Sequence, residues 1–195
     1  MAVEYTNRIG KTYYLIKGLT KKGNPKYFFS LNQQKGEIVQ SIPDGYEIYE
    51  HPGNSQVFLR KKLPQKITEL EKKIITNHMK NIERSRRYKV DYKNDFITIY
   101  ESNVDIGHFE VSFSSLLKKQ PETMKALIRE ADKDYTPVLR FCLVDEKRRF
   151  FETERFCFRG FIDDWISISA SDHLEKLAKK YLKLLGTEDF YNTHS

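Results

Sequence analysis

Short apolar and aromatic stretches alternate with turn-forming residues throughout the first third of the chain. Five such stretches recur at a spacing of about ten residues, which is typical of consecutive short strands. They cover residues 12–17, 26–30, 36–40, 46–50 and 56–60. Gly, Asn and Pro in the intervening segments supply the backbone conformations that chain reversals need. The pattern predicts a small β meander or a partly closed barrel.

A helical pattern then begins at Thr68. Thr68 and Glu71 have the spacing of a capping box, in which a hydroxyl and a carboxylate satisfy free amides at a helix start. Apolar residues and one histidine follow at helical spacing, at Ile67, Leu70, Ile74, His78 and Ile82. We expect a helix with this buried stripe that ends near Arg84.

The rest of the chain mixes hairpins with two more helices. Strands are predicted at residues 88–92, 96–100, 107–113, 138–144 and 150–158. One helix begins near Pro121. A last helix has a continuous apolar stripe and ends at Gly186. The stripe consists of Leu174, Leu177, Ala178, Tyr181, Leu182 and Leu185.

Strands and helices are not arranged in regular βαβ repeats. This favours the α+β class, with antiparallel sheets, over a doubly wound parallel sheet. We therefore expect a small β-rich unit over residues 1–64, joined by the helix at residues 67–84 to a larger α+β unit, with the second unit spanning 65–195.

Charge is distributed unevenly between these two parts. The chain has a net charge of +7, and residues 1–66 contain 11 Lys or Arg against 5 Asp or Glu. The remainder is close to neutral. Because clustered positive charge attracts polyanions, the first part is a candidate surface for an anionic partner, with nucleic acid as the first choice.

Lysines and aromatic rings lie close together in this basic part. Phosphates are attracted to the cations and bases stack on the rings, so the combination suits single-stranded nucleic acid. A second basic cluster follows the first helix. The predicted contact residues are Lys11, Lys17, Lys21, Lys22, Lys26, Tyr14, Arg86 and Arg87.

Several classes of chemistry have no recognisable signal in the sequence. No glycine-rich phosphate loop is present, and two cysteines cannot form a common structural zinc site. We expect no cofactor, no resident metal and no membrane span, because no apolar run is long enough. With no signal-peptide pattern and two cysteines that we expect to stay reduced, the expected location is the cytoplasm.

A polar cluster near the C-terminal end offers an enzymatic alternative. Glu152 and Glu154 project from one strand face, and together with Asp163 they could hold a divalent cation for metal-assisted hydrolysis. Arg155 and Arg159 would then line the same pocket. The competing interpretation is a solvated edge with cross-strand ion pairs that involve Arg140 and Arg155.

A protein-interaction module, in which a partner or a second copy covers the sheet or the first helix, is a further alternative. We rank a non-enzymatic, polyanion-binding protein first, an interaction module second and an enzyme third.

Overall fold

The computed structural model of the chain describes residues 2–82, 85–104, 132–159 and 162–192, together with the single residues Glu122, Ala126 and Ile128. For residues 158, 159, 162 and 163 only the backbone is described. The strand predicted at 107–113 lies outside the described residues. Of the helix predicted from Pro121, only the three single residues are described, and all three are helical.

The backbone groups into two compact units. The first comprises Met1–Lys62 and Phe113–Tyr135, and the second comprises Leu63–Ser112 and Thr136–Ser195. The division into separate domains at residue 64 stays a prediction. No helix among the described residues is both long and apolar enough to span a membrane.

A four-stranded antiparallel sheet forms the centre of the first unit. Its strands are β1 (Glu4–Thr6), β2 (Thr12–Leu19), β3 (Pro25–Ser30) and β4 (Glu37–Ile38). Strand β2 pairs with β3 along one edge and with both β1 and β4 along the other. Leu15 and Ile16, consecutive residues that point to opposite faces, are both fully buried. Both faces of β2 are therefore covered at its centre.

Two further strands of the first unit, β5 (Tyr46–Glu50) and β6 (Val57–Lys61), pair with each other as a hairpin. Most strands of this unit lie where the sequence pattern predicts them. The single meander is not confirmed, because β4 returns to pair with β2 and the β5–β6 pair forms a separate sheet.

Arg8 connects distant turns of the first unit. Its Nη1 lies 2.7 Å from Glu50 Oε1 and donates to the carbonyl oxygen of His51 at 3.0 Å. Its Nε donates to the carbonyl oxygen of Asp132 at 2.8 Å. The central carbon of its guanidinium lies 5.6 Å from the centroid of the Tyr135 ring. The planar guanidinium thus joins three segments that are far apart in the sequence.

The second unit is built on a five-stranded antiparallel sheet in the spatial order β11-β10-β9-β8-β7. These strands are β7 (Tyr88–Lys93), β8 (Phe96–Ser102), β9 (Tyr135–Asp145), β10 (Phe150–Arg159) and β11 (Ile162–Ser167). A short strand, β12 (Asp172–His173), also pairs with β10. The described helices are α1 (Glu69–Lys80), α2 (Leu174–Tyr181) and α3 (Glu188–Asn192). Antiparallel sheets combined with helices confirm the α+β class.

The core of the second unit lies between one face of this sheet and the helices. Ile97, Ile99, Leu139, Phe141 and Phe151 are fully buried on the sheet. Six apolar residues of the last helical segment face them and are also buried, as the sequence stripe predicts. They are Leu174, Leu177, Ala178, Tyr181, Leu182 and Leu185. Burial of this much apolar surface is the main term that stabilises the unit.

The first helix buries the predicted stripe only in part: Ile67 is buried, and Ile74 and Ile82 are partly buried against the core. Its buried residues are Glu71, Ile75 and Met79, whereas Leu70 is 69% exposed. His78 is half-buried, and its Nε2 lies 2.8 Å from Glu175 Oε1 on α2. The predicted stripe was wrong at Leu70 because a buried carboxylate, rather than an apolar residue, fixes the first turn of the helix.

The capping box predicted at Thr68 and Glu71 is present. Glu71 Oε2 accepts from the Thr68 amide at 2.8 Å and from the Thr68 hydroxyl at 2.9 Å. Arg149, in the β9–β10 turn, donates from Nε to Glu71 Oε1 at 2.9 Å and from Nη2 to the Lys66 carbonyl at 3.0 Å. The carboxylate thus ties the start of α1 to a turn of the sheet.

The Glu71 carboxylate should make stability depend on pH. Burial alone raises the pKa of Glu71, but hydrogen bonds from Arg149 and Thr68 outweigh it, so the pKa lies below its usual value. The stabilisation is present above the unfolded-state pKa of about 4.3 and is lost as pH falls through the lower folded-state pKa. We expect Glu71→Gln to cost about 2 kcal/mol at neutral pH, and less as pH falls below about 4. Urea unfolding of both proteins between pH 7 and below about 4 measures this difference in the free energy of unfolding.

Glu69→Gln is the matched control, because Glu69 lies in the same helical turn with its side chain 80% exposed and paired with Lys72. We expect it to change stability little at any pH. Equal costs for the two substitutions, or a Glu71→Gln cost that grows on acidification, would contradict the assignment.

Arg8→Lys tests the connection between the turns of the first unit. Lysine keeps the charge but cannot donate to several acceptors in one plane, so we expect a loss of about 2–4 kcal/mol in the free energy of unfolding. Arg148→Lys, at a side chain that is 75% exposed, should have little effect. A tolerated Arg8→Lys would show that the guanidinium geometry is not required.

Candidate functional site

The candidate site is the closed end of the β2–β3 hairpin. The turn is held by hydrogen bonds from the Thr20 amide to the Asn24 carbonyl at 2.8 Å and from the Gly23 amide to the Thr20 carbonyl at 2.9 Å. Gly23 has a φ of +80°, which glycine adopts without strain. Lys21 and Lys22 are exposed in this turn, and Lys26 is exposed on β3, one residue after the strand pair nearest the turn. We call these three lysines the hairpin end.

Three carboxylates of the first unit pair with cations away from the hairpin end. Arg8 pairs with Glu50 at 2.7 Å and Arg60 with Glu47 at 2.7 Å. Lys17 lies 3.8 Å from Glu37. Among the described residues, none of the hairpin-end lysines has a carboxylate within ion-pair distance. The positive charge of the hairpin end is therefore not neutralised by the described part of the chain.

Apolar groups accompany these charges. Leu19 is 72% exposed beside the turn, and the Lys26 ammonium lies 5.8 Å from the centroid of the half-buried Phe28 ring. The other rings of this hairpin are also half-buried rather than exposed. They are Tyr13, Tyr14, Tyr27 and Phe29. Stacking on bases could use only part of each ring.

Of the remaining predicted contact residues on this sheet, Tyr14 shares a face with Lys26, whereas the lysines do not join the hairpin end. Lys17 pairs with Tyr27 across the strands, whereas Lys26 pairs with Gly18, so the two lysines project to opposite faces. Tyr14 lies on the face of Lys26, opposite Ser30. Lys11 precedes β2, about 26 Å from the turn along an eight-residue strand.

The two predicted arginines belong to the second unit. Arg86 is exposed in a short 3-10 segment, Ser85–Arg87. The guanidinium of Arg87 lies 2.9 Å from Glu101 on β8. This ion pair gives Arg87 a partner within its own unit.

The sheet divides the acidic cluster considered for hydrolysis. Glu154 lies directly opposite Arg140 and forms an ion pair with it, while Arg155 lies opposite Leu139 on the buried face. Arg155 donates from Nη1 to the Phe190 carbonyl at 3.0 Å. Asp163 and Arg159 have no described side chains. Across the described ranges, no three His, Cys, Asp or Glu side chains are grouped to hold a metal.

Arg140 is the centre of the cluster on the other face. Its guanidinium lies 4.3 Å from the Trp165 ring centroid and 5.0 Å from that of Phe96. The Cys142 thiol donates to Glu154 at 3.2 Å. Trp165 lies on strand β11. The described polar groups Arg140, Cys142 and Glu154 are thus bonded to one another.

The part of the chain that the structure describes has two concave surfaces apart from the hairpin end and the Arg140 cluster. One, of about 410 Å³, is lined by Ile42–Ile48 and Lys62 in the first unit. The other, of about 330 Å³, lies in the second unit and is lined by Asn81, Ile82, Arg87, Tyr88, Lys183 and Leu185–Thr187. The sequence did not predict the second concave surface because its walls come from three separate segments. Of its lining residues, only Arg87 was predicted as a contact residue.

Cys142 should be a poor nucleophile. Burial raises its pKa to about 12, and the hydrogen bond to Glu154 acts in the same direction. At pH 8 the thiolate fraction is then on the order of one in ten thousand. Because the thiolate is the form that reacts with alkylating agents, Cys142 should react slowly. We expect iodoacetamide, followed by peptide mass spectrometry, to alkylate Cys142 slowly until pH exceeds about 10. Rapid alkylation of the folded protein at pH 8, compared with the urea-unfolded chain, would contradict this.

Comparisons of the chain with protein-family models, with curated proteins and with solved structures find no match. A functional conclusion therefore depends on the geometry of the chain itself.

Proposed function

We propose that this is a non-enzymatic binding protein whose first unit contacts an anionic polymer, with nucleic acid as the first candidate, through the hairpin end. The observation that carries the proposal is the lack of carboxylate partners for Lys21, Lys22 and Lys26 among the described residues. Cations at a turn, where they stay hydrated, can approach a phosphate backbone without loss of an internal ion pair.

The physical basis is electrostatic. A protein that neutralises phosphates with lysines releases condensed counterions, so its affinity falls steeply as salt rises. Leu19 and the edge of Phe28 add apolar surface beside the charges, which suits unpaired bases better than a uniform duplex backbone. Single strands are therefore the preferred probe.

The proposal is narrower than the residue set predicted from sequence. Lys17 has Glu37 as a neighbour and projects to the other face, and Lys11 lies at the far end of the strand. The proposal takes residues 1–64 as the binding module. It also takes the protein to act in the cytoplasm, where its two free thiols stay reduced.

Neutralising the hairpin end should weaken binding and flatten its salt dependence. In the triple variant Lys21→Gln, Lys22→Gln, Lys26→Gln, up to three phosphate contacts are lost, so the slope of log affinity against log salt should fall by about 2 for single strands. Fluorescence anisotropy with a labelled oligothymidylate of about twenty nucleotides, between about 50 and 300 mM salt, measures both quantities.

The control is the triple variant Lys73→Gln, Lys80→Gln, Lys179→Gln. These lysines are also exposed, and their substitution removes the same amount of charge from the second unit. We expect the control to keep most of the slope. If both triple variants lose affinity equally, only net charge matters, and if the native protein does not bind at low salt, the proposal is wrong.

A further inference from the structure

The cleft of the second unit lies where the end of α1, the start of β7 and the turn after α2 come together. Its volume of about 330 Å³ is at the lower end of the range for small-molecule sites. The walls combine the apolar side chains of Ile82 and Leu185 with the polar side chains of Asn81 and Thr187. Such a mixture can hold an organic body and orient one polar group.

Two cations line this cleft, but they differ in how they are held. Arg87 is fixed by its ion pair with Glu101 at 2.9 Å, and the Tyr88 hydroxyl lies 3.3 Å from the same carboxylate. Lys183 is exposed and has no carboxylate partner among the described residues. Arg87, Lys183 and Glu101 together leave one positive charge, which suits a ligand with a net negative charge.

Gly186 brings the turn after α2 close to Tyr88. Its φ is +77°, and a Cβ at this position would lie 2.9 Å from the Tyr88 hydroxyl oxygen. A side chain would therefore enter the cleft and displace the hydroxyl. The first two residues of α3, Glu188 and Asp189, are exposed and are not among the residues that line the cleft. Among the described residues that line the cleft there is no carboxylate.

We propose that this cleft binds a small organic anion, with its phosphate or carboxylate group between Lys183 and Arg87 and its apolar part against Ile82 and Leu185. The site does not depend on the hairpin end, since all of its residues belong to the second unit. The proposal can therefore hold or fail whatever the outcome of the nucleic-acid measurements.

Phenyl phosphate is a suitable probe because it combines a phosphate with an apolar ring of the right size. We expect its titration, followed by two-dimensional ¹H–¹⁵N NMR of the full chain, to give saturable shifts centred on Asn81 and the amides of Leu185–Thr187. Phenylacetate should shift the same amides, which tests whether a carboxylate replaces the phosphate. Inorganic phosphate and phenol should each bind more weakly, because each lacks one half of the ligand.

Two variants at exposed positions test the site while leaving the core intact. Lys183→Gln should weaken phenyl phosphate about tenfold, the effect of losing one charge-assisted contact. Asn81→Trp should fill the mouth of the cleft and abolish saturable shifts. Lys179→Gln, an exposed lysine on α2 that does not line the cleft, is the matched control and should bind like the native chain.

Each contrary result overturns the proposal. Shifts that are absent, that do not saturate, or that spread over lysines throughout the chain would show that the cleft is not a binding site. Unchanged affinity in Lys183→Gln would remove the assigned anion contact. Equal binding of inorganic phosphate and phenyl phosphate would remove the apolar part of the assignment. The spectrum of each variant reports its folding directly.

Discussion

Burial of both faces of β2 is the constraint on which the first unit depends. Leu15 and Ile16 point in opposite directions and neither is exposed, so side chains must cover the sheet on both sides. Phe29 and Phe28, the cross-strand neighbours of Leu15 and Ile16, are half-buried on the same two faces. Long charged side chains cannot share that space without a partner, because burying an unpaired charge is costly.

This constraint explains how charge is arranged in the unit. Cations that lie within its sheets or bridge its segments pair with carboxylates, as Arg8 does with Glu50 and Arg60 with Glu47. Only five acidic residues are present in residues 1–66 against eleven basic ones. The surplus is therefore carried by lysines at turns and ends, where water solvates them. The proposed function follows from this separation of structural cations from solvated ones.

Local signals in the sequence predicted much of the fold, because strands, turns and helix caps depend on neighbouring residues. The capping box at Thr68 and the stripe of α2 are examples, and both are confirmed. Long-range pairing could not be predicted: the return of β4 to β2 and the burial of Glu71 against Arg149 join residues far apart in the chain. For the same reason the sequence grouped lysines that the strand register places on opposite faces.

Lysine footprinting tests the central claim most directly, because one experiment compares every lysine of the chain. The protein would be acetylated with and without a saturating single-stranded oligonucleotide at low salt, and each site quantified by mass spectrometry. Contact through the hairpin end predicts strong protection of Lys21, Lys22 and Lys26, with Lys73 and Lys179 unchanged. Equal protection of all exposed lysines, or protection confined to the second unit, would contradict contact through the hairpin end.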